Sequence, residues 1–161
     1  MFKLFKGKQQ PQHQATKPSI IVASEMPPSM EKPRIKQTKD GNISVLSFDV
    51  EKPNQKNLKS LGEPNPQYIK PTINGTRRNE YEYINYNNSP VEFDNNNVIV
   101  GGVVVGTVPS DARALLSDIL ENKNVTSKYA SIHSGNYLLI TETQAFKEQN
   151  YIYCTIRIRY K

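Results

Sequence analysis

Residues 97–108 read NVIVGGVVVGTV, the most apolar run in the chain. Val98, Ile99, Val100, Val103, Val104 and Val105 are β-branched, and such side chains lose rotamer freedom in a helix but pack well on a pleated surface. The run predicts a central strand, with Gly101-Gly102 as a bulge or bend within it. The segment that follows, PSDARALLSDILENKN, changes period: Ala112, Leu115, Leu116, Ile119 and Leu120 recur at helical spacing and form one apolar face. Ser110 is placed to cap this helix, and Asp111 to meet the positive end of its dipole. One amphipathic helix has to bury its stripe on a sheet face, which directs the chain towards an α+β architecture.

Other segments supply the sheet. In NISVLSFDV, residues 42–50, Leu46, Phe48 and Val50 alternate with Ser47 and Asp49 as in a half-buried strand. EYEYINY, residues 80–86, reads as an edge strand. NYLLITET (136–143) and YIYCTIRIRYK (151–161) are separated by the polar QAFKEQN and predict an antiparallel hairpin. In the last strand Ile152, Cys154, Ile156 and Ile158 share a core face, while Tyr151, Tyr153, Thr155, Arg157 and Arg159 share the other. The expectation for residues 41–161 is a small, mainly antiparallel sheet packed against one main helix. Within it, residues 51–78 carry Pro53, Pro64, Pro66 and Pro71, which predict an irregular Pro-rich loop without a helix.

Charge and proline divide the chain. Residues 1–78 contain 14 Lys/Arg against 6 Asp/Glu, and residues 79–161 contain 7 against 9, so the excess positive charge lies wholly in the first half. Nine of the 11 prolines precede residue 79, and the apolar fraction of 36% falls below the roughly 45–50% of compact domains. Residues 1–40, with no sustained period of 2 or 3.6, are expected to be a disordered or extended basic arm rich in Pro and Gln. Phe2, Leu4 and Phe5, broken by lysines, form too short a patch for a signal-peptide core, and no run approaches the roughly 20 apolar residues that cross a bilayer. A single cysteine permits no internal disulfide.

Chemical motifs are few. GGVVVGT has the glycine spacing of a phosphate loop, but Thr107 stands where the phosphate-facing lysine belongs. His13 and His133 are far apart and join no Cys/His cluster, so no metal is expected. Cys154, on an isoleucine face, reads as a small buried hydrophobe, and Ser134 lacks a nucleophile-elbow pattern. The expectation is a chain that is not an enzyme and has no cofactor or small-molecule substrate.

Binding features are clearer. Lys3, Lys6 and Lys8 would each contribute on the order of 1 kcal/mol at an anionic bilayer. Phe2, Leu4 and Phe5 would add roughly 1.5–3 kcal/mol per side chain fully buried. Arg77 and Arg78 suit phosphate pairing, Tyr81 and Tyr83 suit base stacking, and Arg157 and Arg159 extend the same chemistry on the last strand. Ser19, Ile20, Ile21, Val22 and Ala23 form the segment best suited to dock on a neighbouring copy, since a small sheet leaves an edge open.

A basic arm opening MFKLFKGK, a proline pair in EMPPSM, and VIVGGVVVGTVPSDARALLSDIL as strand, Pro-containing turn and helix together resemble a matrix protein of the rhabdovirus type. The resemblance implies a virion protein that self-associates and bridges an anionic membrane and a nucleocapsid, at the cytoplasmic face of a host membrane or in host cytoplasm. It departs from the family where Pro27-Pro28-Ser29 is followed by Met30 in place of the tyrosine of the late-domain motif. Two other classes fit the same residues: a nucleic-acid-binding accessory or movement protein, and a phage capsid or tail component with a subunit-linking arm.

Overall fold

The computed structural model describes residues 19–26, 32–68, 75, 77–83, 87–133, 135–141 and 144–161. In chain order the elements are β1 (Ser19–Met26), β2 (Arg34–Gln37), β3 (Ser44–Asp49), α1 (Gln55–Leu61), β4 (Glu63–Pro64), β5 (Arg78–Asn79), β6 (Tyr81–Glu82), β7 (Asn87–Asp94), β8 (Asn97–Val100), β9 (Val103–Thr107), α2 (Ser110–Asn122), β10 (Val125–His133), β11 (Tyr137–Ile140), β12 (Gln144–Asn150) and β13 (Tyr153–Tyr160). Seven strands form an antiparallel sheet in the order β2-β3-β13-β10-β7-β8-β9. A second sheet runs β1-β12-β11-β5, with β1 parallel to β12, and β4 pairs with β6. The architecture is mostly antiparallel sheet with two helices.

The core lies on one face of the seven-stranded sheet. The alternation read in the sequence places Leu46, Phe48 and Val50 of the β3 segment beside Cys154, Ile156 and Ile158 of β13, all essentially inaccessible to water. Val91, Val98, Val100, Val105 and Ala130 continue the apolar layer across β7 to β10. From α2, Ala112, Leu116 and Ile119 pack into the same cluster, while Leu120 stays exposed and Leu115 is half-buried. Each fully buried aliphatic side chain stabilises the fold by about 1.5–3 kcal/mol. Ser110 is the first helical residue and Pro109 occupies the cap position without a side-chain hydrogen bond, so the cap expected of Ser110 is not made.

Four further expectations are corrected. Gly101 and Gly102 join two strands, not two halves of one: both have positive φ (58° and 80°), as a two-residue type I′ hairpin between β8 and β9 requires. The interval between Pro53 and Pro64 holds α1, because Pro53 precedes the cap and Pro64 follows the last turn, where neither ring interrupts the helix. Asn54 caps α1 by accepting from the Asn57 amide at 3.0 Å, and Leu58 and Leu61 turn into the core. The hairpin partner of β11 is β12, the stretch read as a polar connection, in which Gln144 is exposed and Ala145 buried. β13 instead lies between β3 and β10, which gives its isoleucine row apolar neighbours on both sides. The strands β7 and β10 had no counterpart in the sequence reading.

Part of residues 1–40 is incorporated in the sheets, since β1 and β2 hydrogen-bond along the outer edges of β12 and β3. β2 is exposed along its length, with Ile35 45% accessible. The opposite edge is shut. Glu51 bridges Thr107 through amide–carbonyl bonds of 2.7 and 2.9 Å, the Asn54 amide donates to Val105 O, and Asn57 Nδ2 donates to Val104 O at 2.8 Å. Gly106 permits this closure, since a Cβ there would lie 2.8 Å from the Glu51 carbonyl oxygen.

Leu58→Ala is expected to cost about 2–5 kcal/mol by opening a cavity under α1, and Gly106→Ala about 1–3 kcal/mol by forcing β9 off Glu51. Urea unfolding monitored by circular dichroism measures both; a Leu58→Ala chain as stable as the parent would remove α1 from the core.

Candidate functional site

The face of the seven-stranded sheet opposite the core carries the chemistry. Directly opposed residues share a face, and the register aligns them in rows. One row runs Arg34, Ser47, Arg157, Tyr129, Pro90 across β2, β3, β13, β10 and β7. The next runs Lys36, Val45, Arg159, Ser127. Strands about 4.8 Å apart and residues spaced by two along each strand put Arg34, Lys36, Arg157 and Arg159 at the corners of a patch of about 10 by 7 Å. Arg34, Lys36 and Arg159 are exposed and Arg157 is half-buried. Glu92 and Asp94, exposed on β7, face the same side by alternation with the buried Val91, so charge is segregated across the face.

Beside the patch lies a polar network. Thr155 Oγ1 donates to Asp49 Oδ1 at 2.6 Å, both residues being buried. With its proton committed there, the Thr155 oxygen is the acceptor in its 3.3 Å contact with His133 Nε2. The His133 ring stacks on Tyr153, with centroids 4.4 Å apart and planes 18° from parallel. Arg157 Nη1 donates to Ser131 Oγ at 3.2 Å. Burial holds the His133 imidazole below the ordinary histidine value of 6.5; the Asp49 carboxylate opposes that shift and Arg157 adds to it. A hydroxyl, an imidazole and a carboxylate occur together, but a base-activated nucleophile needs the imidazole to accept the hydroxyl proton. Here that proton goes to the carboxylate, so the network orients side chains under the basic patch.

The residues singled out from sequence fall in several places. Arg157 and Arg159 belong to the patch. Arg77 lies 3.8 Å over the Tyr137 ring, beside the other sheet. Arg78 is buried in β5 and donates from Nη1 to Gln67 O at 2.6 Å, so it presents no charge to a ligand. Tyr83 is buried with its ring directly on Gly62, which removes it from base stacking, and burial raises its phenol pKa. Tyr81 packs half-buried against the core. Packing claims Arg78, Tyr81 and Tyr83, whereas Arg77 is exposed and stacked on its neighbour's ring. Ser19, Ile20, Ile21, Val22 and Ala23 lie on β1, whose partner strand β12 belongs to the same chain. Phe2, Lys3, Leu4, Phe5, Lys6 and Lys8 lie outside the described residues. Cys154 is fully buried and its thiol is pushed up to about 12, first by burial and then by Asp49.

Arg34, Lys36, Asp49, Tyr129 and His133 were missed. The alternation of Ser127, Tyr129 and Ser131 is a weak strand signal, and nothing local aligns β2 with β13. Two recesses accompany these elements. One, of about 150 Å³, is lined by Gln55, Lys59, Glu80, Tyr81, Asn136 and Tyr151. Three of its polar residues are engaged internally: Asn136 Nδ2 donates to Glu80 Oε2 at 2.5 Å, and the Gln55 amide bonds both the carbonyl and the N–H of Ile152. The other, of about 400 Å³, adjoins the basic patch at Pro90, Ser127, Lys128, Tyr129 and Arg159. Among the described residues no group of three or more His, Cys, Asp or Glu is placed to hold a metal, and no helix is long and apolar enough to cross a membrane. No protein-family model matches the chain, and neither a curated protein nor a solved structure is significantly similar to it.

The depressed His133 pKa has a definite sign. The unfolded chain binds the proton more readily, so the stability that His133 contributes when neutral is complete above 6.5 and declines as pH falls through that value towards the folded pKa. Chemical denaturation of the parent and His133→Gln between pH 7.5 and 5 should give the steeper acid loss for the parent; parallel curves would contradict the assignment.

Proposed function

We propose that this chain is a non-enzymatic, matrix-like viral structural protein that self-associates and bridges an anionic membrane and a nucleocapsid. The observation that carries the reading is the patch of Arg34, Lys36, Arg157 and Arg159 on one side of the large sheet. A single cation on a surface pairs weakly, but four at fixed spacing present a field suited to a dense array of phosphates. The opening MFKLFKGK supplies a second basic surface with apolar residues that a bilayer can seat. Two basic surfaces on one chain suit a protein placed between two acidic layers. Each contact is weak, so firm attachment requires many copies, and self-association supplies them. The virion and the cytoplasmic face of the host membrane are the places where both layers meet.

A second reading, an accessory protein that binds nucleic acid, is favoured by the rings of Tyr129, Tyr153 and His133 beside the cations. Membrane contact separates the two. The intact chain is expected to float with vesicles containing phosphatidylserine and to remain unbound to phosphatidylcholine vesicles. Replacing Lys3, Lys6 and Lys8 by Gln should weaken partitioning on the order of a hundredfold at low salt, at about 1 kcal/mol per charge. Equal binding to both vesicle types, or a chain that stays monomeric by light scattering at high concentration, would overturn the matrix-like reading.

A further inference from the structure

The ladder between β7 and β10 stops early. Its last opposed pair is Tyr129 and Pro90, and proline has no N–H with which to continue. β7 then pairs on with β8 from Val91 onward, while β10 continues along β13 through Lys128 and Ser127. The two strands part, and the open groove of about 400 Å³ lies in the gap, within the size range of small-molecule sites. Its lining is specific in kind: one aromatic ring, two cations, a hydroxyl and a proline.

The arginine is available. Arg159 stands over the Tyr129 ring with its guanidinium 5.7 Å from the centroid, well short of the close stack that Arg77 makes on Tyr137 at 3.8 Å. Lys128 opposes Ile158 in register and so leaves on the other face, where its ammonium lies 5.9 Å over the Phe93 ring. Among the described residues Arg159 has no carboxylate partner; the ion pair there joins Arg113 to Glu51 elsewhere. A half-exposed ring flanked by unneutralised charge is the arrangement by which single-stranded nucleic acid is held, the base stacking on the ring and the backbone phosphate meeting the cations. Glu92 and Asp94 lie farther along β7 on the same face, so a polyanion is steered away from β7 and over β13, where Arg157 continues the row.

We propose that the gap between β7 and β10 is a nucleotide site, in which Tyr129 stacks a base of single-stranded nucleic acid and Arg159 pairs with its phosphate. This deepens the nucleocapsid half of the reading above and rests on it only for where the strand comes from. A general basic patch would hold any acidic surface; the ring makes this site selective for a ligand that carries planar bases between its charges.

The test uses the full chain and a fluorescently labelled oligouridine followed by anisotropy. Tyr129→Leu should weaken binding about five- to a hundredfold, as loss of one base–aromatic stack does, while Tyr129→Phe binds like the parent. Arg159→Gln should lower the slope of log affinity against log salt by roughly 0.7, the value for one phosphate contact on a single strand. Parent-like binding by Tyr129→Leu, or equal losses in the Leu and Phe variants, would overturn the site. Flotation with phosphatidylserine vesicles is run in parallel. Tyr129→Leu should leave it unchanged, and a loss there as large as the loss of oligouridine binding would reassign the groove to a lipid surface. A chain that fails to float yet shows the Tyr129 pattern keeps the nucleotide site and loses the membrane half of the proposed function.

Discussion

β13 is held on both sides at once, and the placement of every functional group on the large sheet follows from it. Ile156 sits between Phe48 and Ala130, and Ile158 beside Leu46, so the apolar row of one strand is continued by its neighbours in register. A slip of one residue would turn this row to water and drive Arg157 and Arg159 into the core. The cost of burying unpaired guanidinium groups forbids that alternative more strongly than any local preference could. The polar side of the sheet therefore inherits its geometry from the apolar side, and a basic patch contributed by two sequence-distant segments acquires fixed spacing.

The parts of the fold legible in the sequence are those in which one element carries its own periodic signal. The alternation of Leu46, Phe48 and Val50, that of Ile152 to Ile158, and the helical stripe of α2 all state which side is buried without reference to a partner. Pairing was not legible, because it depends on which edges compete. β12 joins β11 despite its polar composition, since a strand needs only one apolar side when the other faces water. α1 was hidden by the prolines around it, which forbid a helix through them but permit one between them. Two glycines in an apolar run suit a bulge or a turn equally, and only the positive φ of both decides for the hairpin.

The candidate site divides in the same way. Arg157 and Arg159 could be placed on one face from their own strand. Arg34, Lys36, Tyr129 and His133 join them only through cross-strand register, which spans more than 120 residues of chain between β2 and β13 and leaves no mark on any short window. Arg78 and Tyr83 failed for the opposite reason: their residue types suit a ligand, but packing uses them first. The Asp49–Thr155–His133 network shows how the face tolerates buried polarity, since each group has a partner and the carboxylate gives the strongly cationic rows a fixed negative neighbour.

The closure of β9 by Glu51, Asn54 and Asn57 makes the two margins of the sheet unlike. A strand arriving from another molecule finds its hydrogen-bonding groups taken at β9, whereas β2 offers its outer edge. An object with one receptive margin cannot be lengthened by repeating the same join, because each addition consumes the margin and the newcomer brings no second one in line with it. Strand addition to the large sheet is thereby self-limiting. An extended layer of such chains cannot grow by stacking large sheets edge to edge, which leaves it free to bend with the surface beneath it instead of stiffening into a fibre.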